Sequence, residues 1–228
     1  MGKAIATELA SRGAGIIIND IPPMEAEAQQ TVAELRALGA ACSFYAAFVN
    51  KEEQVNQMVA EVGQVDILVN NAGINRDGTM RHSTKADWDA VLDVNLSGPF
   101  LCTKAFVGKM RDRGWGRIIN IASYVGRTGV YGTPYYAASK AGLIGLTKEV
   151  ASEVASKGVT VNALAPGYVL TDMMRNYPQD QLDAITSRIP VGYWAKPEDV
   201  AYWAGVLASP RAHYMTGTVI DCNGGVYM

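Results

Sequence analysis

Short and almost uninterrupted apolar runs alternate along this chain with segments of helical periodicity, and this alternation limits the possible folds more than any other feature. The first run is GIII at positions 15–18, and a helical stripe of Ala28, Val32 and Leu35 follows it. Further runs occupy positions 41–49, 65–73, 116–121, 159–167 and 217–225. Strands that are apolar on both faces are typical of parallel sheets covered by helices on both sides. The pattern therefore predicts an α/β fold with a single doubly wound parallel sheet, in one domain over residues 1–228.

Composition and charge argue against several classes of protein. The 20 Lys and Arg residues nearly balance the 22 Asp and Glu residues, so a basic surface for nucleic acid is not expected. No apolar run reaches the roughly 20 residues that span a bilayer, and no secretory signal is recognisable. Three widely spaced cysteines and two histidines are too few for a disulfide framework or a metal cluster. We therefore predict a cytoplasmic protein without a metal, nucleic-acid or membrane partner.

Polar and turn-forming residues follow four of the predicted strands. Asp20 comes after the first run, NNAG at 70–73 after the third, Ser123 after the fourth, and Pro-Gly at 166–167 after the fifth. Ligands of open α/β sheets bind beyond the carboxyl ends of the strands. Each of these residues alone is a weak signal, but all of them are expected to line one crevice.

The strongest local signal is YYAASK at positions 135–140. Tyr136 and Lys140 are four residues apart, so on a helix they share a face, whereas Tyr135 points roughly 100° away. The unperturbed pKa of a tyrosine is about 10, and an ammonium held nearby lowers it by stabilising the phenolate. The pair therefore indicates a tyrosine acid, although a surface tyrosine packed on a lysine stem would give the same spacing.

Several motifs together resemble those of the short-chain dehydrogenase/reductases. These are NNAG at 70–73, VNLSGPF at 94–100, Ser123 placed 13 residues before Tyr136, YAASK at 136–140 and Pro-Gly at 166–167. The resemblance covers essentially the whole chain and implies a Rossmann-like dinucleotide-binding fold. Three further segments look most like those of 3-oxoacyl-thioester reductases, including acetoacetyl-CoA reductases: 113–123, 157–168 and 223–228.

The resemblance implies a role for four catalytic residues. Tyr136 would give a proton to the carbonyl oxygen as hydride arrives from the nicotinamide, and Ser123 would hold that oxygen by a hydrogen bond. Lys140 would lower the pKa of the tyrosine and bind the nicotinamide ribose, and Asn95 would anchor a water that relays protons. A Ser-His-Asp hydrolase is disfavoured, because no G-x-S-x-G surrounds Ser123.

Binding residues follow from the same resemblance. The cofactor would contact Gly2, Asp20, Asn71, Ala72, Gly73, Tyr136, Lys140, Pro166, Gly167, Val169 and Thr171. The substrate would contact Ser123, Val130, Tyr131, Thr133 and Tyr168. Trp194 lies beside the expected lid region, where it would shape the pocket or simply pack.

Asp20 predicts the choice of cofactor. A carboxylate after this strand can accept hydrogen bonds from the adenosine ribose, and it repels a 2′-phosphate. Its position, 18 residues after Gly2, is close to the spacing of about 20 residues found in dinucleotide folds. NAD is therefore favoured over NADP. The alternative interpretation is a turn aspartate, because two prolines follow at 22–23.

The beginning of the chain departs from the family pattern. Family members start with a strand and a T-G-x-x-x-G-[IL]-G turn against which the pyrophosphate lies. Here only Gly2 matches that turn, so we expect the first strand and most of the phosphate loop to be missing, with apolar surface exposed on two neighbouring strands. Phe48 also stands where the family usually has an aspartate for the adenine amine.

Three functions remain open at this point. The first is NAD(P)-dependent reduction of the 3-keto group of a 3-oxoacyl thioester, of the acetoacetyl-CoA or 3-oxoacyl-ACP type. The second is NAD-dependent oxidation of a small secondary alcohol, polyol or sugar. The third is a cofactor-deficient pseudoenzyme or oligomer subunit. The family is usually homotetrameric, and the apolar surface predicted on the helix from about Lys85 to Asp112 agrees with that assembly.

Overall fold

The structure is a computed structural model that describes residues 1–171 and 178–228. The strands are β1 Ile16–Asp20, β2 Cys42–Ala46, β3 Ile67–Asn70, β4 Gly116–Ile121, β5 Val159–Pro166 and β6 Val219–Cys222. The helices are α1 Gly2–Ser11, α2 Glu25–Ala37, α3 Glu52–Val62, α4 Lys85–Leu92, α5 Gly98–Arg113, α6 Val125–Thr128, α7 Pro134–Val154, α8 Gln179–Thr186 and α9 Pro197–Ala208. The expected alternation of strands and helices is confirmed. No helix of the described residues is long and apolar enough to cross a membrane.

All strand pairs are parallel, but their hydrogen bonds form two sheets. β1 pairs with β2, and the other four strands follow the order β3-β4-β5-β6. Within the described residues no strand pairs with the second edge of β1 or with the second edge of β3. Ile17 in β1 is 40% exposed, as expected for a strand with an open edge.

Apolar cores lie on both faces of the strands, which confirms the predicted fold class. Adjacent residues of β4 separate into the two cores, because successive side chains of a strand point to opposite faces. Ile119 packs with apolar residues of α1, α2 and α9, whereas Ile118 packs with apolar residues of α3, α5 and α7. β4 and β5 are buried along their whole length. They therefore hold the segments that follow their carboxyl ends in place.

The helical stretch expected from Lys85 to Asp112 is continuous but contains one wider turn. A π-helical turn, Asp93–Ser97, joins α4 to α5. Such turns insert one residue into a helix and are frequent at functional sites. The fully buried Asn95 lies in this turn, so its side chain leaves the helix at a position that a regular α-helix would not provide.

Candidate active site

The carboxyl ends of the strands bring the predicted catalytic residues together. A Cβ atom built on Gly73, after β3, would lie 3.3 Å from Asn95 Oδ1 and 3.6 Å from Lys140 Nζ. After β4, the backbone N–H of Tyr124 donates to the carbonyl oxygen of Pro166 at the end of β5, at 3.0 Å. The segments after three strands and the start of α7 thus meet in one place, as the spacing of the motifs predicts.

Tyr136 and Ser123 form the centre of this site. The Ser123 hydroxyl is buried and accepts a hydrogen bond from the backbone N–H of Val125, at 3.2 Å. Burial raises the pKa of the Tyr136 phenol, and a hydrogen bond with the Ser123 hydroxyl partly offsets that rise. Tyr136 is therefore protonated at neutral pH and can act as a hydrogen-bond donor or an acid.

Lys140 lies beneath Tyr136 on α7 and is almost fully buried. Its Nζ atom donates to the carbonyl oxygen of Ile121 at 2.7 Å and lies 5.5 Å from the centre of the Tyr136 ring. Burial lowers the pKa of the Lys140 ammonium to about 8. The expected lowering of the Tyr136 pKa by this ammonium is not found. The pKa of Tyr136 is raised instead, because burial of the phenol outweighs the other effects.

The neighbouring tyrosine has a structural role. Tyr135 is buried, and its hydroxyl oxygen accepts a hydrogen bond from the backbone N–H of Thr84 at 2.6 Å. Its ring meets the Trp88 ring edge-on, with 6.5 Å between centres. The prediction that only Tyr136 shares a helix face with Lys140 is confirmed.

Asn95 fixes the loop after β3. Its Oδ1 atom accepts from the backbone N–H of Ile74 at 2.8 Å, and its Nδ2 atom donates to the Ile74 carbonyl oxygen at 2.9 Å. Nδ2 also donates to the Ser139 hydroxyl at 3.2 Å, and that hydroxyl donates to the Tyr136 carbonyl oxygen at 2.8 Å. Ser139, which sequence reasoning missed, therefore ties the π-helical turn to α7. Its place inside YAASK was the only available signal.

One buried polar atom in this region has no protein partner. Asn71 Oδ1 is fully buried and accepts no hydrogen bond from the described residues. Its amide nitrogen lies against the start of α1, 2.9 Å from a Cβ atom built on Gly2. An unpaired buried oxygen is costly, so a hydroxyl donor of a ligand would stabilise it. The ribose of a dinucleotide carries such hydroxyls, and Asn71, Gly73 and Lys140 therefore fit the ribose end of NAD(P).

Asp20 ends β1 at the same edge of the strands. Its side chain is exposed, and Oδ1 accepts from the backbone N–H of Ile21 at 2.8 Å. One carboxylate oxygen therefore stabilises the turn, as the alternative interpretation predicts. The carboxylate as a whole still faces solvent. Phe48, which follows β2, is half-buried.

The segment after β5 approaches another backbone closely. A Cβ atom built on Gly167 would lie 2.6 Å from the carbonyl oxygen of Asn223, so only glycine fits there. Val169 is buried and bridges to Ala195. Thr171 is half-buried and is the last residue described before the segment 172–177.

The predicted substrate residues are not all brought together. Tyr168 packs between the rings of Tyr124 and Trp194, with centres 5.4 and 5.5 Å away. Thr133 turns its hydroxyl to the carbonyl oxygen of Val130, at 2.9 Å. Tyr131 is 90% exposed and does not join the others. Glycines at 129 and 132 lie on either side of this residue in the loop and have φ angles of 74° and 83°, in the left-handed region that glycine favours.

Tyr124 was also missed by sequence reasoning. It follows Ser123 directly and is only 7% exposed. Its contact with Tyr168 joins two segments that are far apart in the sequence, so no local spacing could reveal it. No group of three or more His, Cys, Asp or Glu side chains in the described part of the chain is placed to hold a metal ion.

Comparisons with known proteins agree along the whole chain. Residues 1–227 match a family described as Enoyl-(Acyl carrier protein) reductase, within the short-chain dehydrogenase/reductases. An acetoacetyl-CoA reductase of Cupriavidus necator is 41% identical over 232 residues, covering 100% of this chain and 94% of its own. The 3-oxoacyl-[acyl-carrier-protein] reductase FabG of Staphylococcus epidermidis is 40% identical, with 100% and 95% covered. A crystal structure assigned as a gluconate dehydrogenase of Agrobacterium tumefaciens superimposes with a TM-score of 0.93 at 34% identity, covering 98% of this chain and 90% of its own.

Proposed function

The chain belongs to the short-chain dehydrogenase/reductase family of NAD(P)-dependent oxidoreductases, and from that premise we propose that it reduces the 3-keto group of a 3-oxoacyl thioester. The substrate would be of the acetoacetyl-CoA or 3-oxoacyl-ACP type, because full-length relatives of about 40% identity carry these activities in their names. The observation that carries the proposal is the meeting of Ser123, Tyr136 and Lys140 at the carboxyl ends of the strands.

Each side chain has a chemical task that its surroundings support. Bound NAD(P)H would supply the hydride. Ser123 would donate a hydrogen bond to the substrate carbonyl oxygen, and Tyr136 would protonate that oxygen as negative charge develops on it. The raised pKa of Tyr136 keeps its proton available at neutral pH. Lys140 would bind the ribose hydroxyls and, when charged, stabilise the tyrosinate left after the transfer.

Asn95 retains the capacity to anchor a water. Both hydrogens of its amide nitrogen are used, one for Ile74 and one for Ser139. Its oxygen accepts one hydrogen bond from Ile74, and an amide oxygen can accept two. Among the described residues the second lone pair has no donor, so it is open to a water that would relay protons to the site.

We propose NAD as the preferred cofactor, because of the carboxylate at Asp20. The exposed carboxylate of Asp20 lies at the end of β1, where it would accept hydrogen bonds from the ribose hydroxyls and repel a 2′-phosphate. The remaining cofactor contacts would come from the start of α1, the loop after β3 and the segment after β5.

Two other functions have a specific observation in their favour. Oxidation of a sugar acid or another small secondary alcohol is supported by the structural similarity to the protein assigned as a gluconate dehydrogenase. A cofactor-deficient subunit is supported by the edges of β1 and β3 that no strand of the described residues covers. A homotetramer is supported by exposed rings on α4, α5 and α9, with Trp88 37%, Phe100 48% and Tyr202 53% exposed.

The test is a spectrophotometric assay of NADH or NADPH oxidation with acetoacetyl-CoA, beside assays of NAD⁺ reduction with gluconate and simple secondary alcohols. We expect turnover with acetoacetyl-CoA and a preference for NADH. Turnover with the alcohols alone would support the second function. Failure of the folded chain to bind either cofactor, measured by energy transfer from its tryptophans, would support the third.

A further inference from the structure

Tyr124 belongs to an aromatic wall beside the catalytic serine. The wall consists of Tyr124, Tyr168 and Trp194, whose neighbouring ring centres are 5.4 and 5.5 Å apart. Trp194 Nε1 donates to the Thr186 hydroxyl on α8 at 2.8 Å, which holds the outer end of the wall. The inner end is held by the backbone hydrogen bond from Tyr124 to Pro166. Both ends of the wall are thus fixed by hydrogen bonds.

The two tyrosines of this wall are in ring contact, with 5.4 Å between their centres, so each brings one hydroxyl group to the same wall. The pKa of Tyr124 is raised by burial and further by the adjacent Tyr168 hydroxyl, so Tyr124 stays protonated. A phenol donates one hydrogen bond and can also accept. When one hydroxyl of the pair donates to the other, the pair has one hydrogen left for a ligand. That hydrogen requires an acceptor.

The tyrosine pair starts one residue after Ser123. Ser123 and Tyr124 are consecutive residues, so their Cα atoms are about 3.8 Å apart. The Tyr136 phenol is close enough to act electrostatically on the Tyr124 hydroxyl. The site therefore offers two donor pairs side by side: Ser123 with Tyr136, and Tyr124 with Tyr168.

We propose that Tyr124, together with Tyr168, binds the second carbonyl oxygen of a 1,3-dicarbonyl substrate and makes the site selective for 3-oxoacyl thioesters over simple ketones. Ser123 and Tyr136 hold the ketone that is reduced, and the tyrosine pair donates to the thioester oxygen two carbons away. This inference rests on the proposed function. It assigns to Tyr124 a role in specificity, because the phenol acts on the substrate oxygen that does not react.

Two coenzyme A derivatives separate this role from a general effect on catalysis. Acetoacetyl-CoA carries both carbonyl groups. The thioether that coenzyme A forms with methyl vinyl ketone keeps the coenzyme and the ketone but has a methylene group in place of the thioester carbonyl. The variants Tyr124→Phe and Tyr168→Phe remove the hydroxyls and keep the rings, and Tyr214→Phe, at a side chain that is 94% exposed, is the matched control.

We expect kcat/KM for acetoacetyl-CoA to fall about tenfold in Tyr124→Phe, and kcat/KM for the thioether to change less than about twofold. The dissociation constants of the two compounds, followed by tryptophan fluorescence, are expected to differ in the same way. Equal losses on both compounds, or none on either, would overturn the inference while leaving the proposed function intact. If the wild-type chain binds and reduces neither compound, both the inference and the proposed function fail.

Discussion

Lys140 Nζ donates a hydrogen bond of 2.7 Å to the carbonyl oxygen of Ile121, the last residue of β4. This bond determines where the buried ammonium lies. It holds the charge at the end of the strand, 5.5 Å from the centre of the Tyr136 ring. The lysine thus lies beside Gly73, on the side of the site where we propose that the ribose binds. Its effect on the tyrosine depends on whether it carries a proton.

The titration of Lys140 predicts a pH-dependent contribution to stability. Burial lowers its pKa from 10.5 to about 8. Between these two values the unfolded chain binds a proton that the folded chain does not, so the free energy of unfolding rises with pH. Between pH 7 and pH 10 we expect the free energy of unfolding of wild type to rise by up to about 3 kcal/mol more than that of Lys140→Met. Urea unfolding of both proteins across this range measures the gain, and parallel pH profiles would contradict it.

Tyr136→Phe is expected to lower kcat by about 10²- to 10⁴-fold, because the variant has no proton to donate to the substrate oxygen. Binding of NADH should stay within a few-fold of wild type. Tyr135→Phe is the matched control: it removes only the hydrogen bond to Thr84 and should cost about 1 kcal/mol of stability. Steady-state kinetics and tryptophan energy transfer to NADH measure the two effects. An active Tyr136→Phe chain would rule out this phenol as the acid.

Asp20→Ser is expected to shift the cofactor preference toward NADPH. Removing the carboxylate loses acceptors for the ribose hydroxyls and abolishes the repulsion of a 2′-phosphate. The ratio of the dissociation constants of NADPH and NADH should fall at least about tenfold. Asp112→Ser serves as control, because this exposed residue lies near the end of α5, at the opposite edge of the strands. An unchanged ratio would mean that Asp20 only stabilises the turn after β1 and does not select the cofactor.

Gly167→Ala is expected to destabilise the chain by about 1–3 kcal/mol. The added methyl group would lie 2.6 Å from the carbonyl oxygen of Asn223, and both backbones would have to move. Gly145→Ala in α7 is the opposite case, since its added methyl group meets nothing within 4 Å and alanine favours helix. Thermal unfolding gives the melting temperatures of the two variants, which are then compared. Equal melting temperatures would show that the loop after β5 adapts without cost.

The positions of the proposed catalytic residues on their helix could be predicted because the signals are local. Tyr136 and Lys140 are four positions apart on one helix, so they share a face, whereas Tyr135 is rotated by roughly 100° from Tyr136. The strands could be predicted for the same reason, since burial on both faces leaves a continuous apolar run.

Other features depend on contacts between distant segments and were not predicted. The π-helical turn at Asn95 arises where the side chain reaches both Ile74 and Ser139. The contacts among Tyr124, Tyr168 and Trp194 form only when the strands that carry these segments come together. The raised pKa of Tyr136 likewise follows from burial, which the spacing of a motif does not reveal.

The division of the strands into two sheets has a consequence for local unfolding. Among the described residues β1 and β2 share no hydrogen-bonded ladder with the other four strands, and an apolar core joins this pair to the rest. Units held in this way open at a lower free energy than the whole molecule. Amide hydrogens of β2 and α2 should therefore exchange faster than those of β4 and β5. Asp20 belongs to the pair that opens more easily, whereas Tyr136 lies on α7 beside the other four strands. Warming should therefore weaken the proposed binding of adenosine at Asp20 before it disturbs the region around Tyr136.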